Sequence, residues 1–398
     1  MKILLLADGR SPTTRSWVRQ VTLGGNEVIL LSSYAAEKPD GVSAMHTLPL
    51  AFSRTSTANR GENPHKRLTA LVQGARLALL SLRYYLGPIS VLQAAPAYLR
   101  ILDQVKPDMV HALRIPYEGM LAAHTPSGIP VVLSTWGNDF TLHAGGSFLM
   151  KDHARRAVLR ADGFMADCLR DIRLAQAWGL RAGIPTQFVP GNGGVSFQQM
   201  GINPNEAPQL EDKTRDPWRV INPRGIRPAY VMNDVFFQAI PIILAQEPRV
   251  RLWGAGMAGQ VDAGKWVKKL ALDGRVELLA PESQEGLWGR FRQSSVLVSP
   301  AIHDGTPNSV LEGMALGCLP VVGRIESLEE WIEHGRNGLL VNPRDARSIA
   351  DGILEGLRNR ELQHRAAQIN LELVHERADA EKNREIIAAF YQKIRNLN

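Results

Sequence analysis

The chain has 398 residues, more than one hydrophobic core usually supports, so two domains of comparable size are expected. Apolar residues make up 44% and charged residues 21%, a composition that excludes a disordered chain, a fibrous protein and a disulfide scaffold. The 46 basic and 39 acidic residues give a formal charge of +7, which favours an anionic ligand or an anionic membrane surface. Nucleic acid is disfavoured, because no basic segment interleaved with aromatic residues marks a recognition module.

Short β-branched segments alternate with segments of helical length along the whole chain. The predicted strands are residues 2–8, 27–32, 108–113, 131–136 and 163–167 in the first half, and 218–222, 250–254, 276–280, 296–300, 319–323 and 338–342 in the second. Most are continuous apolar runs, which is typical of parallel strands covered by helices on both faces. The pattern predicts an α/β chain of two Rossmann-like, doubly wound parallel-sheet domains facing each other across a cleft.

One segment interrupts this series. Residues 190–217 are rich in Gly, Pro, Asn and charge and have little apolar pattern. A linker is therefore predicted at 201–217, between a first domain at 1–200 and a second at 218–377. Residues 378–398 are predicted to form a helix that packs back on the first domain, with one apolar side formed by Ile386, Ile387, Phe390 and Ile394.

The segment 299–317, SPAIHDGTPNSVLEGMALG, carries the strongest chemical signal. A strand ends at its beginning and a helix follows, with Thr306 expected as N-cap and Pro307 at the first helical position. The free backbone N–H groups of residues 308–310 are then expected to form an anion site suited to a diphosphate.

Two carboxylates flank this helix start, Asp304 before it and Glu312 within it, where they can accept the vicinal hydroxyls of sugars. The run resembles the donor-site signature of the retaining glycosyltransferase family 4 (glycosyl transferase group 1), of GT-B fold: an acidic residue, seven residues, then Glu. Asp304 stands where the family usually has Glu. The resemblance implies that Glu312 binds ribose hydroxyls, that Asp304 binds hexose hydroxyls, and that phosphate or sugar is held around Thr306, Asn308 and Ser309.

A basic element follows the first strand of the second domain. Arg224 matches the family's Arg at this strand end, but Ala229 stands where the family has a Lys five residues later, and Arg227 is taken as the substitute. Guanidinium groups here would neutralise a leaving diphosphate without a metal ion. The resemblance therefore implies a nucleotide-sugar donor, UDP-sugar first, with no cofactor and no metal.

The first domain resembles the family more loosely, at the ends of its strands. Gly9 lies where the family carries a Gly-containing loop near donor and acceptor, and His111 ends a strand as in the family. Trp136 replaces the His of a His-Gly-x-Asp motif whose acid is Asp139. The resemblance implies that Gly9 contacts the donor and that His111 and Asp139 belong to the catalytic site.

The implied activity is transfer of a hexose-type sugar, hexosyl or N-acetylhexosaminyl, to a sugar or lipid-linked acceptor with retention of anomeric configuration, in cell-envelope or glycoconjugate biosynthesis. In a same-face substitution the leaving phosphate helps to deprotonate the acceptor, so Arg224 and Asp304 would stabilise and orient rather than form a hydrolase-type acid/base pair. A nucleotide-sugar epimerase of the same fold and a catalytically degenerate nucleotide-sugar-binding protein stay open as alternatives. A dehydrogenase is disfavoured, because no Gly-x-Gly-x-x-Gly follows the first strand.

A basic stretch at residues 52–102 contains seven Lys and Arg residues against the single acid Glu62. Apolar residues recur within it at helical spacing, at Leu68, Leu71, Ala75, Leu79 and Leu82. Such a helix either packs its apolar side on a core or lies on an anionic membrane. The membrane interpretation predicts peripheral contact at the inner membrane face through residues 54–83.

No targeting or membrane-spanning segment is expected, and the chain is predicted to be cytoplasmic. Met1 leads directly into a strand-like segment, and the apolar stretch 68–92 is interrupted by Arg76 and Arg83. Cys168 and Cys318 lie far apart without metal-ligand spacing, and both are predicted to be reduced thiols.

Overall fold

A computed structural model of the chain describes residues 1–51, 76–206, 208, 210, 218–227 and 229–397. The chain divides into two compact units, Met1–Gly193 with Glu381–Asn398, and Gly194–Ala380. Residues 194–200, which the sequence places in the first domain, thus lie in the second unit. Of the predicted linker at 201–217, residues 207, 209 and 211–217 lie outside the described residues.

Each unit is built on a parallel sheet. The strands of the first sheet are β1 (Lys2–Ala7), β2 (Glu27–Ser32), β3 (Val42–Thr47), β4 (Met109–Ala112), β5 (Val131–Thr135), β6 (Gly163–Ala166) and β7 (Thr186–Phe188). Those of the second are β8 (Arg219–Asn222), β9 (Arg251–Gly254), β10 (Val276–Leu278), β11 (Val296–Ser299), β12 (Leu319–Gly323) and β13 (Leu339–Val341). The strand orders are β3-β2-β1-β4-β5-β6-β7 and β10-β9-β8-β11-β12-β13.

Helices connect the strands within each unit. In the first unit they are α1 (Pro12–Leu23), α2 (Arg76–Val105), α3 (Met120–Ala122), α4 (Phe148–Arg160) and α5 (Leu169–Ala177), with an irregular turn at Ile115–Gly119 and a π-helical turn at Asp139–Ala144. In the second they are α6 (Phe197–Met200), α7 (Asn233–Gln246), α8 (Val261–Lys269), α9 (Gln284–Gln293), α10 (Asn308–Ala315), α11 (Glu326–Glu329), α12 (Ala346–Arg358) and α13 (Arg360–Ala378). The last helix, α14 (Ala380–Leu397), returns to the first unit.

The predicted α/β class with two Rossmann-like parallel sheets is confirmed. β1 shows why: Leu4, Leu5 and Leu6 have no exposed surface, because successive side chains point to opposite faces and helices cover both. Every predicted strand has a counterpart in the structure, whereas β3 and β7, the edge strands of the first sheet, were not predicted.

The last helix completes one face of the first unit. Ile387, Phe390 and Ile394 are buried in the cluster that also contains Trp17 of α1, while Ile386 is 36% exposed and lies outside it. The Tyr391 hydroxyl, buried in the same cluster, lies 2.7 Å from His111 Nδ1 on β4. The helix is therefore joined to the centre of the first sheet by apolar packing and by one buried hydrogen bond.

Each sheet has one point where the strand order reverses. In the first sheet β1 lies between β2 and β4, and in the second β8 lies between β9 and β11. The connections from these strands run in opposite directions and leave a crevice at the carboxyl ends, where ligands bind in open α/β sheets. We refer to these two places as the first and second switch points. Among the described helices, none is long and apolar enough to cross a membrane.

Candidate functional site

The loop after β8 is fixed by the last residue of that strand. Asn222 Oδ1 accepts a hydrogen bond from the Arg224 backbone N–H at 3.0 Å, and its Nδ2 donates to Asn233 Oδ1 at 2.9 Å. Asn233 Nδ2 in turn donates to the carbonyl oxygen of Gly225, which has φ +60°. These bonds set the direction in which the Arg224 side chain leaves the second switch point.

The Arg224 guanidinium meets two groups of the segment after β11. Nη2 donates to Asp304 Oδ2 in a short ion pair, and Nη1 lies 3.4 Å from Ser309 Oγ. The side chains of Arg224 and Asp304 are 10% and 19% exposed, so the pair is mostly desolvated yet open on one side. The structure therefore brings three predicted site residues together, from two strand ends and the first turn of α10.

The helix start differs from the prediction. α10 begins at Asn308 with Pro307 as N-cap, and no side chain caps it, so Thr306 as N-cap was wrong. The Thr306 hydroxyl instead accepts a hydrogen bond from Trp331 Nε1 at 3.1 Å. The N–H of Val310, expected to be free, donates to the Pro307 carbonyl at 2.9 Å. The anion site predicted for residues 308–310 thus loses one of its three N–H donors.

Glu312 lies in α10, one turn beyond Asn308, and only 5% of the residue is exposed. Burial raises the pKa of its carboxyl to about 6, while the hydrogen bond from Gln284 acts against that rise. Gln284 Nε2 donates to Oε1 at 2.7 Å. The carboxylate is therefore poorly solvated, and vicinal hydroxyl donors would stabilise its ionised form.

Arg227, three residues beyond Arg224, lies beside this cluster, although the residue as a whole is exposed. Partial burial and the Arg224 charge lower the pKa of its guanidinium, and the Asp304 carboxylate acts in the opposite direction. Its backbone carbonyl accepts from the N–H groups of Tyr230 and Val231. Ala229, which occupies the family's Lys position, has φ +72°. Among the described residues, Arg224 donates hydrogen bonds to Asp304 and Ser309, and the side chain of Arg227 donates to neither.

His111, predicted as catalytic, has a structural position at the first switch point. The residue has no exposed surface; Nε2 lies 2.7 Å from Ser134 Oγ and Nδ1 2.7 Å from Tyr391 Oη. Burial lowers the pKa of the ring to about 3, so the imidazole is neutral at physiological pH. With both nitrogens engaged inside the unit, direct contact between His111 and a substrate is contradicted by the geometry.

Asp139, also predicted as catalytic, is likewise fully buried. Its Oδ1 accepts from Arg114 Nη2 at 2.8 Å, and its Oδ2 accepts from the backbone N–H groups of Ile115 and Trp136. Burial raises the pKa of the carboxyl, and the Arg114 guanidinium acts in the opposite direction. Asp139 therefore anchors the turns that follow β4 and β5, and no face of it is available to a ligand.

Gly9 lies directly beyond β1, and its N–H donates to Ser32 Oγ at 3.0 Å. A Cβ at this position would lie 2.9 Å from the same oxygen, so the close approach of β1 and β2 requires glycine. This packing accounts for Gly9 without a ligand, and its predicted donor contact stays a prediction.

Two groups near the switch points were not predicted from the sequence. Gln284, at the start of α9, is the hydrogen-bond partner of Glu312. Glu118 follows β4, is 6% exposed and accepts from Ser33 Oγ at 2.5 Å; burial raises its pKa. Neither residue could be recognised from a motif, because its hydrogen-bond partner lies in a distant segment of the chain.

A group of potential metal ligands lies away from the second switch point, in the first unit. Atoms of Asp167, Cys168 and Asp171 lie within 4.8 Å of one another. The Arg170 guanidinium already donates to Asp171 Oδ1 at 2.8 Å, so a cation is present beside these acids. Both Cys168 and Cys318 are buried, and neither forms a disulfide.

Two protein-family models match this chain. The model described as Glycosyl transferase 4-like matches residues 2–167, and the one described as Glycosyl transferases group 1 matches residues 227–359. Each match falls within one of the two units, and the second contains Asp304, Ser309 and Glu312.

Curated relatives match over shorter segments. The D-inositol 3-phosphate glycosyltransferase of Nocardioides sp. is 26% identical over 155 residues, which are 35% of this chain and 34% of that protein. The protein of the same name from Streptomyces avermitilis is 27% identical over 127 residues, or 29% of this chain and 27% of that one. The matched segments thus span only 34% and 27% of these relatives' lengths.

Solved structures match over the whole chain. Anabaena HepE in complex with UDP has a TM-score of 0.70 at 15% identity, covering 99% of this chain and 100% of that one. Sucrose-phosphate synthase from Thermosynechococcus elongatus has a TM-score of 0.72 at 14% identity, covering 100% of both. At such identities the likeness concerns the fold, and it confirms the expected GT-B class.

Proposed function

The chain belongs to the group 1 glycosyltransferases of family 4, and from that premise we propose that it transfers a hexose-type sugar from a nucleoside-diphosphate sugar to an acceptor hydroxyl. The donor is bound at the second switch point. The two alternatives of the same fold, an epimerase and a degenerate nucleotide-sugar-binding protein, are outcomes of the experiment below.

The observation that carries this proposal is the cluster of Arg224, Asp304 and Ser309, with Glu312 one turn further along α10. A guanidinium beside a helix N-terminus suits a diphosphate, because both favour negative charge. Asp304 beside that cation and Glu312 further along α10 suit sugar hydroxyls, which donate hydrogen bonds to carboxylates. The site thus offers a positive group for the phosphates and negative groups for the sugars on either side of them.

We assign the roles by position. Arg224 stabilises the charge that develops on the leaving diphosphate, and Asp304, held by Arg224, orients the transferred sugar. Glu312 accepts the two ribose hydroxyls. Arg227, exposed three residues further on, supplies a second cation when phosphate is bound. The chemistry then needs no metal ion and no enzymatic nucleophile, and the same-face departure retains the anomeric configuration.

UDP-sugar is the proposed donor. HepE, whose fold this chain shares across both units, has been solved with UDP and with UDP-glucose. Backbone groups near residues 280–283 are expected to select the base, and such contacts leave no side-chain signature. The choice of UDP is therefore supported by the likeness to HepE and by the donor cluster.

The proposed acceptor is a sugar or a lipid-linked sugar in cell-envelope or glycoconjugate biosynthesis, and the chain would meet the latter at the inner membrane face from the cytoplasm. The membrane contact predicted through residues 54–83 falls largely outside the described residues, which resume at Arg76. The excess of basic residues in that stretch supports the proposal from the sequence alone.

The first experiment is a thermal-shift assay with UDP, GDP, ADP and their common sugar conjugates, in the presence of EDTA. A ligand that binds only the native state at about 100-fold above its Kd adds about 2.7 kcal/mol to the free energy of unfolding. We expect a clear rise in Tm with UDP and UDP-sugar, lost in Arg224→Ala and Glu312→Ala. Arg347→Ala, whose side chain is 67% exposed on α12, is the matched control.

The outcomes separate the competing functions. No shift with any nucleotide at millimolar concentration would contradict the donor site. A shift without UDP release in the presence of sugar and lipid acceptors would favour the degenerate binding protein, whereas release of UDP with a changed free sugar would favour the epimerase. Proton NMR of a transfer product reports the anomeric configuration, and inversion would contradict retention.

A further inference from the structure

The solvent side of α2 is apolar where a helix on a protein surface is ordinarily polar. Between residues 82 and 92, every exposed residue is a large apolar one. These five residues, which we call the outer strip, are 37–50% exposed: Leu82, Tyr85, Leu86, Ile89 and Leu92. Their spacing of three and four residues places them on one side of the helix.

The outer strip is not the core face of the helix. Val91 and Tyr98 have no exposed surface, and Tyr84 and Leu102 are also buried in the core cluster of the first unit. α2 therefore has two apolar faces, one packed on the sheet and one open. Packing on a core therefore accounts for one face of residues 82–92 and not for the outer strip.

The strip continues onto the neighbouring helix. Phe148, the first residue of α4, is 71% exposed, and its ring lies 6.2 Å from that of Tyr85 in an edge-to-face contact. The open apolar surface therefore belongs to two elements whose positions are fixed by the core, and contiguous exposed apolar patches of this kind mark interaction sites.

This surface lies near the carboxyl edge of the first sheet. Arg83 lies in the same segment of α2 and donates a hydrogen bond to the hydroxyl of Tyr34, which follows β2. The Arg83 guanidinium also lies over the ring of Tyr117, which follows β4. The Tyr117 hydroxyl donates to the Arg83 carbonyl at 3.3 Å. A partner on the outer strip would thus be close to the edge at which ligands of this sheet class bind.

The charges around the strip identify the kind of partner. The first acidic residue of α2 is Asp103, and the exposed Arg100 lies about two turns beyond Leu92 on the same helix. On α4, Lys151 and Arg155 share the side of Phe148, and the single acid there, Asp152, is paired with Arg156. An apolar strip bordered by positive charge complements a surface that is apolar within and negative at its rim, which is the chemistry of an anionic lipid bilayer.

We propose that the outer strip and Phe148 form a docking surface for an anionic membrane, with the apolar side chains inserted among the acyl chains and the basic residues at the headgroups. The proposal deepens the membrane part of the proposed function and rests on it. It moves the contact from residues 54–83 to a defined surface centred on residues 82–92 and Phe148.

The test is co-sedimentation of the full chain with vesicles of phosphatidylcholine alone and of phosphatidylcholine with about 30% phosphatidylglycerol. We expect binding to the anionic vesicles, at least about tenfold weaker binding to the neutral ones, and a further loss of about tenfold or more in Leu86→Ser/Ile89→Ser. Phe148→Ser, on the other helix, should weaken binding in the same direction. Leu23→Ser removes a leucine of α1 that is 54% exposed, and it should bind as the wild type does.

Three results would overturn the proposal: no binding of the wild type to anionic vesicles, equal binding to both compositions, or unchanged binding of both strip variants. Sedimentation velocity gives a fourth, since self-association that Leu86→Ser/Ile89→Ser abolishes would assign the strip to a second copy of the chain. The UDP thermal shift, measured on the same samples, keeps the two proposals apart. A UDP shift without vesicle binding contradicts only the docking surface, and vesicle binding without a UDP shift contradicts only the donor site.

Discussion

The two switch points of the molecule occupy equivalent places in their sheets but use their polar groups differently. At the second, the side chains of Arg224 and Asp304 are paired with each other and remain 10% and 19% exposed. At the first, His111 and Asp139 have no exposed surface, and their hydrogen bonds go to Ser134, Tyr391 and the Arg114 turn.

The difference shows that a position at the end of a parallel strand does not by itself give a residue a ligand. The second switch point leaves charged groups accessible, so they can exchange their mutual contacts for contacts with a substrate. At the first switch point Arg114 is also partly exposed, but His111 and Asp139, the two predicted site residues, hold the last helix and the turns in place. We therefore expect substitutions at the first to act on stability and substitutions at the second to act on binding and turnover.

The largest effect is expected from Asp139→Ala. Removing one partner of a buried ion pair leaves Arg114 uncompensated and two backbone N–H groups without an acceptor, which should lower the free energy of unfolding by about 3–5 kcal/mol. Urea unfolding measures it. Asp351→Ala removes the partner of an exposed ion pair on α12 and should cost at most about 1 kcal/mol.

A structural role for Asp139 would be contradicted if Asp139→Ala unfolded at the same urea concentration as the wild type but lost turnover. Asp139 would then contact a substrate directly. We expect instead that the folded fraction of the variant keeps its UDP-induced rise in Tm.

At the second switch point, Arg224→Ala should lower kcat/KM for transfer by about 10²–10³-fold, because one preorganised donor to the leaving phosphate is lost. Its effect on the free energy of unfolding should be smaller than that of Asp139→Ala, since Asp304 keeps the N–H of Gly305 as a donor and no backbone N–H loses its acceptor. The kcat/KM of Arg224→Lys should lie between those of the wild type and Arg224→Ala, because Lys keeps the charge but cannot contact Asp304 and Ser309 together. Steady-state kinetics with Arg347→Ala as control checks this, and an unchanged kcat/KM in Arg224→Ala would contradict the role.

The fold was predictable where strands are covered on both faces. β1 and β12 read as continuous apolar runs because helices bury both of their sides. β3 gives no such signal: it lies at the edge of the first sheet, and Ser43, Ala44 and Thr47 are exposed along it. The covering that produces the pattern in the central strands is missing at the edge, so no sequence pattern could reveal it.

The site was predictable where its residues share one segment. Asp304, Ser309 and Glu312 lie within nine residues, so one resemblance in this segment named all three, and the structure places Asp304 and Ser309 on Arg224. Thr306 was misassigned as N-cap because its hydroxyl bonds to Trp331, a partner 25 residues away that competes with the local cap. Gln284 was missed for the same reason, since it reaches Glu312 across 28 residues.

A smaller effect is expected from Glu312→Gln. If Glu312 accepts the ribose hydroxyls as a carboxylate, its loss should weaken UDP binding by about 10–100-fold, the range of charge-assisted hydrogen bonds. Because burial raises the pKa of this carboxyl to about 6, UDP affinity of the wild type should increase as pH rises through 6. Calorimetric titration at pH 5, 6 and 7 measures both. An affinity with the same pH dependence in the wild type and in Glu312→Gln would remove Glu312 from the site.

The smallest effect distinguishes the two switch points by the sign of a pH slope. The pKa of Glu312 is raised from 4.5 to about 6, so between these values the folded state binds more protons than the unfolded state, and its contribution to stability falls as pH rises. The pKa of His111 is lowered from 6.5 to about 3, so over that range the unfolded state binds more protons, and the contribution of His111 rises with pH. Between about pH 4.5 and 6 the two contributions oppose each other.

The single variants should therefore expose slopes that largely cancel in the wild type. Relative to the wild type, Glu312→Gln should gain stability with rising pH by up to about 1.4 kcal/mol per pH unit, and His111→Gln should change by a similar amount in the opposite direction. Urea unfolding at pH 4.5, 5, 5.5 and 6 gives the slopes, and taking differences from the wild type removes the other titrating groups. If both variants shifted the slope in the same direction, one of the two residues would have been assigned the wrong surroundings. If Glu312→Gln alone shifted it, the ring of His111 would be open to water, and the first switch point would then resemble the second.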